Sequence, residues 1–179
     1  MSINIENLCY RYEVPFFEHI KDSIMYDINL QPRFGVITQD QELYNTDYYV
    51  APEQRVKWSE PVQKLIIDHQ AWLSQQLSSK EHDVIVDPHL LQPMTVWFQQ
   101  YKTGGAHGWH VHPGSSWSSV LYVELDEDNT GTEILINGEI HKIEAKVGEV
   151  VTVPANFYHR SVDTNNNKTV IVWNTTQLA

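Results

Sequence analysis

From Pro93 to Trp173 the chain breaks into short β-branched and aromatic runs, each closed by turn chemistry, and this rhythm restricts the fold more than any other feature. The runs are Thr95 to Tyr101, Trp117 to Leu125, Glu133 to Ile136, Glu139 to Ile143, Glu149 to Val153 and Thr169 to Trp173. Between them stand Thr103-Gly104-Gly105, Asp126 to Gly131, Asn137-Gly138, Val147-Gly148 and Thr164 to Asn167. Asn137-Gly138 is the sharpest signal, because a two-residue type I′ hairpin needs two positive φ angles. The first half has a different period. Phe16, Phe17, Ile20, Ile24 and Met25 recur at helical spacing after Pro15. A second helix is expected after Ser59 as N-cap, with Val62, Leu65, Ile66, Trp72, Leu73 and Leu77 forming an apolar stripe that packs on a sheet. Residues 30–58, with Tyr44, Tyr48 and Tyr49, read as loops and short edge strands. Helices followed by many short strands imply an α+β, mainly β chain: an antiparallel barrel or jelly roll backed by N-terminal helices.

A length of 179 residues fits one domain over 1–179, with 1–90 as helical and loop support and 91–179 as the β core. The formal net charge of -11 comes from 12 basic and 23 acidic side chains, without a Lys/Arg cluster. Such a surface repels phosphate backbones, so nucleic acid is disfavoured as a partner. No apolar run reaches the 18 residues of a membrane span. Met1 to Glu13 is polar and acidic, unlike a secretory signal. Cys9 is the sole cysteine and has no internal disulfide partner, which suits a reducing, cytoplasmic setting.

Three of the nine histidines crowd into Ala106-His107-Gly108-Trp109-His110-Val111-His112. In an extended strand i and i+2 share a face, so His110 and His112 aim two imidazoles into one space. His159, after the breaker run Val153-Pro154-Ala155-Asn156, is the best third metal ligand. Two alternatives stay open: His107 in place of His112, or as a neighbour of the ligands, and Glu133 as an added acid. Trp109 and Trp117 flank the pair and are candidates to line a substrate pocket. His141 is expected to face solvent. Asp126, Glu127 and Asp128 lack the alternating spacing of a calcium loop and read as a solvated turn.

Residues 93–174 resemble the Fe(II)/2-oxoglutarate-dependent oxygenases, in particular the small prolyl-hydroxylase-like branch of bacteria and phages. The resemblance is carried by Trp97-Phe98-Gln99-Gln100-Tyr101-Lys102-Thr103-Gly104-Gly105, His110-Val111-His112-Pro113, Leu121-Tyr122-Val123, Thr130-Gly131-Thr132-Glu133, Gly148-Glu149-Val150-Val151, His159 and Val172-Trp173-Asn174. It implies a double-stranded β-helix, Fe(II) and 2-oxoglutarate as cofactors, O2 as co-reactant, and hydroxylation of a small molecule or a protein side chain. It implies His110, His112 and His159 as metal ligands, although the family's carboxylate position is His112 here. It places the base for the far carboxylate of 2-oxoglutarate at Lys168, with Tyr101 and Tyr122 as hydrogen-bond donors to the cosubstrate. Val170 stands where the family often has Ser.

The same histidines also resemble the cupin signature, through Gly104-x5-His110-x-His112 and Gly148-x5-Pro154-x4-His159. Asn156 stands where cupins carry Gly, and Asn tolerates left-handed backbone. That resemblance implies the same barrel and ligands in a three-histidine metalloenzyme without 2-oxoglutarate, or a non-catalytic metal-binding module. The substrate and oligomeric state are not legible.

Overall fold

A computed structural model describes residues 8–78, 85–126, 131–162 and 164–178. In chain order the strands and helices are β1 (Tyr10–Glu13), α1 (Phe17–Asn29), β2 (Val36–Ile37), β3 (Gln41–Leu43), β4 (Asn45–Thr46), α2 (Glu60–Leu77), β5 (Leu91–Tyr101) and β6 (Ala106–His110). There follow β7 (Trp117–Leu125), β8 (Thr132–Ile136), β9 (Glu139–Ile143), β10 (Glu149–Pro154), β11 (Tyr158–Ser161) and β12 (Lys168–Gln177). They form two six-stranded antiparallel sheets, ordered β1-β10-β7-β12-β5-β4 and β2-β3-β6-β11-β8-β9, in a jelly-roll-like arrangement.

Strand pleating sorts the core into two layers. On β12, Val170 and Val172 face inward with Trp97 and Tyr101 of β5, toward Ile134, Ile136 and Ile143 of the second sheet. The alternate residues Ile171 and Trp173 face outward with Phe98, Leu121 and Val150, where Phe17, Ile24 and Ile28 of α1 and Val62, Leu65 and Ile66 of α2 cover them. Each of these large side chains, taken fully out of water, contributes roughly 1.5–3 kcal/mol. The helices thus cover the outer face of the first sheet, which leaves the interior between the sheets for a site.

Both expected helices form, α1 starting after Phe16 and α2 after Ser59. Ser59 makes no side-chain cap; its backbone N–H donates to Asp27 Oδ2 (2.8 Å), so a carboxylate of α1 holds the start of α2. The 30–58 stretch supplies the expected short strands, β2 to β4, at the sheet edges, and β1 is a further strand before residue 90 that the sequence pattern does not announce. At two to four residues these strands are too short for a period to show, and pairing alone makes them. Strand β5 begins at Leu91 and runs through Pro93, opposite Thr175 beside a break in register between Trp173 and Thr175. A proline without an N–H is tolerated at such a break. The Asn137-Gly138 hairpin has φ of 52° and 84°, as its type requires, and joins β8 to β9. Asn156 does not take positive φ. The expected 126–131 turn falls largely outside the described residues. Among those described, no helix is long and apolar enough to cross a membrane.

Gly148 adopts φ 82°, and a Cβ there would lie 2.9 Å from the Phe17 ring. Gly148→Ala combines left-handed strain with a clash against the α1 anchor. It is expected to lower unfolding free energy by about 2–3 kcal/mol, measurable by urea titration.

Candidate metal centre

His110 closes β6, and His159 on β11 is its direct cross-strand partner. His112 lies two residues further along the extended chain, held by its backbone N–H donating to Ala155 O (2.9 Å). Local pleating and one strand pairing therefore bring together the three histidines singled out by spacing. Their ligand atoms all lie within 4.8 Å of one another. The Nε2 atoms of His112 and His159 are 3.1 Å apart. Two nitrogens in neighbouring positions at about 2.1 Å from one ion lie about 3 Å apart, so this spacing fits a shared cation.

The far nitrogens are fixed. Nδ1–H of His110 donates to Gly108 O (2.8 Å), and Nδ1–H of His159 donates to Phe157 O (2.9 Å). A carbonyl only accepts, so each of these rings keeps its Nε2 lone pair free for a metal. Nδ1 of His112 lies 3.3 Å from the amide of Asn174, whose oxygen is buried without a partner. The two ends of an amide have the same shape, and the orientation that turns Oδ1 toward His112 gives its Nδ1–H an acceptor and frees the third Nε2. Burial, reinforced by mutual repulsion, pushes the His112 imidazole down to about 3 and that of His159 to about 4; burial also lowers His110. All three are neutral near pH 7, the form that ligates a metal.

His107 is not among the ligands. Its ring stacks on His110 (centroids 3.9 Å, planes 10° apart) while both nitrogens are engaged by side-chain amides, Nε2 by Gln41 (2.6 Å) and Nδ1 by Gln99 (3.3 Å). Glu133 does not complete the site either: its carboxylate accepts from Arg160 (2.8 Å) on the outward face of β8 and β11. Trp109 lies under the Arg160 guanidinium (4.5 Å), and Trp117 meets Tyr10 edge-on (5.5 Å) in a separate cluster, so neither lines the cavity. Odd and even positions face opposite sides of a strand, which puts Trp109 behind His110. His141 is half-buried on β9.

The three imidazoles open into a narrow cavity of about 40 Å³ between the sheets, floored by Val120, Val170 and Val172. Lys168 reaches it from the first residue of β12, 2% exposed. Its Nζ donates to Gly131 O (2.6 Å) and Ser161 Oγ (2.9 Å) and lies 5.4 and 5.5 Å from the Tyr101 and Tyr122 rings. Among the described residues no carboxylate pairs with it, and burial pulls its pKa down to about 7. Tyr101 Oη donates to Gln99 Oε1 (2.9 Å), and Tyr122 Oη bonds Thr132 Oγ1 (2.7 Å). Burial raises both phenols.

Residue-by-residue reading did not single out Gln41, Gln99 or Asn174. Gln99 and Asn174 share the inward alternation of Tyr101 and Lys168, a signal that counting by twos would have found. Gln41 comes from the irregular 30–58 stretch and carried none. Asn174→Leu, which removes the partner of His112, is expected to weaken Zn(II) binding about tenfold to a hundredfold in a chelator-competition titration, with the fold retained.

No protein-family model and no curated protein sequence matches the chain. Solved structures do. An oxidoreductase of the 2OG-Fe(II) oxygenase family from Burkholderia pseudomallei aligns with a TM-score of 0.71 at 10% identity, over 97% of this chain and 88% of the other. A prolyl-4-hydroxylase from Pseudomonas putida aligns at 0.64 and 13% identity, over 96% and 93%. The non-haem alpha-ketoglutarate-dependent epimerase SnoN of nogalamycin biosynthesis aligns at 0.66 and 8% identity, over 94% and 77%. At these identities the likeness establishes that the chain has the fold on which those enzymes are built.

Proposed function

We propose that the chain is a non-haem Fe(II)- and 2-oxoglutarate-dependent oxygenase acting on a small molecule or a polypeptide side chain. One observation carries this reading: a single cavity holds three inward imidazoles and a buried ammonium that has no carboxylate partner among the described residues. An unpaired charge in such a place is costly, and a dicarboxylate spanning from the metal to Lys168 relieves that cost. In the same reading β5 to β12 are the eight strands of a double-stranded β-helix, since β5, β7, β10 and β12 lie in one sheet and β6, β8, β9 and β11 in the other. Residues 1–90 then serve as support within one domain, and the half-buried lone Cys9 suits a reducing cytoplasm.

His110, His112 and His159 hold the ion through Nε2, and their carbonyl and amide partners keep the rings in that tautomer. Because all three are neutral, the whole charge of the cation remains to attract anionic ligands. Lys168 Nζ receives the far carboxylate, flanked by the hydroxyls of Tyr101 and Tyr122. Val120, Val170 and Val172 exclude water between the two ends. Iron bound with the oxo acid supplies what no side chain can, the oxidation of substrate by O2 coupled to loss of CO2 from the acid.

The all-histidine ligand set favours a second reading, a cupin-like metalloenzyme without 2-oxoglutarate; Lys168 opposes it. Anaerobic Fe(II) loading, 2-oxoglutarate titration and admission of O2 separate the two. One Fe(II) per chain with succinate formation supports the oxygenase. Metal binding with no response to 2-oxoglutarate favours the cupin-like enzyme, and no metal binding removes both.

A further inference from the structure

Among the described residues, nine side-chain polar atoms are buried without a hydrogen-bond partner. Of the residues that carry them, only Trp97 and Ser118 line the metal cavity; they are 2% and 1% exposed. Strand register fixes where they sit. Along β12, Lys168 pairs with Tyr101, Val172 pairs with Trp97 and Val120, and Asn174 pairs with Ser118. Four to six residues of strand separate the Lys168 end from the Trp97–Ser118 end, a span of about 13–20 Å. A five-carbon diacid gripping Lys168 reaches the ion and ends there, short of the space beyond it. His112 stands at the second end, its ring 5.7 Å from that of Trp97.

We infer that the Trp97–Ser118 end is the subsite for the oxidised substrate, and that it takes an uncharged hydrogen-bonding group, a carbonyl or a hydroxyl; this rests on the oxygenase reading. An indole N–H only donates, so the group opposite Trp97 must accept, while the Ser118 hydroxyl does either. Charge is excluded by what the cavity lacks at this end. Its charged side chain is Lys168, at the other end; Arg160 turns its guanidinium outward to Glu133. An ammonium here would lose its hydration without a counter-charge, and a carboxylate would find only the ion, which the oxo acid already engages. Trp97 carries an aromatic cover toward the surface: Tyr48, 41% exposed, packs on its ring (5.0 Å) and edge-on to Tyr49 (5.0 Å). Beneath them Asp47 accepts from the backbone N–H groups of Val56 (3.0 Å) and Phe98 (2.9 Å), which fastens this loop to β5.

The test uses the full chain loaded with Zn(II) and 2-oxoglutarate, labelled with nitrogen-15 in its tryptophan indoles and titrated separately with propionamide, 1-propanol and propionate. The Trp97 resonance is the one missing from Trp97→Phe. Propionamide and 1-propanol are expected to shift it saturably, and propionate to leave it unmoved. Ser118→Ala is expected to weaken propionamide about fivefold. If Trp97→Phe does not fold, that comparison with Ser118→Ala decides. The inference is overturned if no probe shifts the Trp97 resonance saturably, or if propionate shifts it as propionamide does. It is also overturned if 2-oxoglutarate alone shifts it and abolishes the amide response, because Trp97 then belongs to the cosubstrate. A chain that binds Zn(II) but not 2-oxoglutarate defeats the functional reading instead, and titration of its Zn(II) form still decides the subsite.

Discussion

Alanine at His159 is expected to weaken Fe(II) binding by about a thousandfold or more and to make 2-oxoglutarate decarboxylation undetectable. The remaining pair, His110 and His112, lies on one extended segment and reaches the ion from one side; His159 alone comes from a separate strand. Without it the cavity retains no third donor within ligand distance among the described residues, because His107 is held by two glutamine amides and Glu133 by Arg160. The apo protein should keep its fold, since the change removes one of three crowded imidazoles from an existing cavity. His107→Ala is the matched contrast and should retain the metal. Metal content after gel filtration, with circular dichroism for the fold, checks both variants. Unchanged iron affinity in His159→Ala would remove the centre described above.

Lys168→Met should produce two opposite effects. Binding of 2-oxoglutarate is expected to weaken a hundredfold or more, at the low end of what truncating one partner of a buried charge pair costs. The apo protein, by contrast, should gain stability at low pH. Burial holds the Lys168 pKa near 7 against 10.5 for a free lysine. Between those values the unfolded chain binds the extra proton, so stability from this group rises with pH, and below pH 7 the full cost of a buried ammonium is present. Methionine removes that cost but leaves Gly131 O and Ser161 Oγ without their donor. The net gain should be about 2 kcal/mol near pH 6, vanish at about pH 8 and turn into a loss as pH approaches 10, where only the two orphaned acceptors count. The same shift predicts that wild-type binding of the dicarboxylate takes up a proton above pH 7. Its affinity should then fall about tenfold per pH unit on the alkaline side, and not in Lys168→Met. Calorimetry in buffers of different ionisation heat measures that proton directly. A pH-independent affinity in the wild type would exclude Lys168 as the anchor.

Much of the architecture and half of the site are written in local pattern. The turn residues between 103 and 167 mark off the core strands, Asn137-Gly138 fixes one hairpin, and the two-residue spacing of His110 and His112 makes them co-facial in any extended chain. Pleating has a period of two and helices one of 3.6, and these are properties of neighbouring residues, so sequence alone determines them. Which faces then meet is decided by pairing between strands far apart in the chain. Spacing favours His112 beside His110 but leaves His107 open; the register of β6 on β11, with Gln41 and Gln99 closing on His107, sets His107 apart. Lys168 reads as a surface residue beside an asparagine turn until β12 is set between β5 and β7, where it becomes a buried ammonium facing three imidazoles. The Trp97 and Ser118 donors likewise gain meaning only from standing on strands that flank β12. Local backbone chemistry thus chose the elements and the direction of each side chain, while burial between two sheets, which strips water from every polar group it encloses, decided which of those side chains need a ligand.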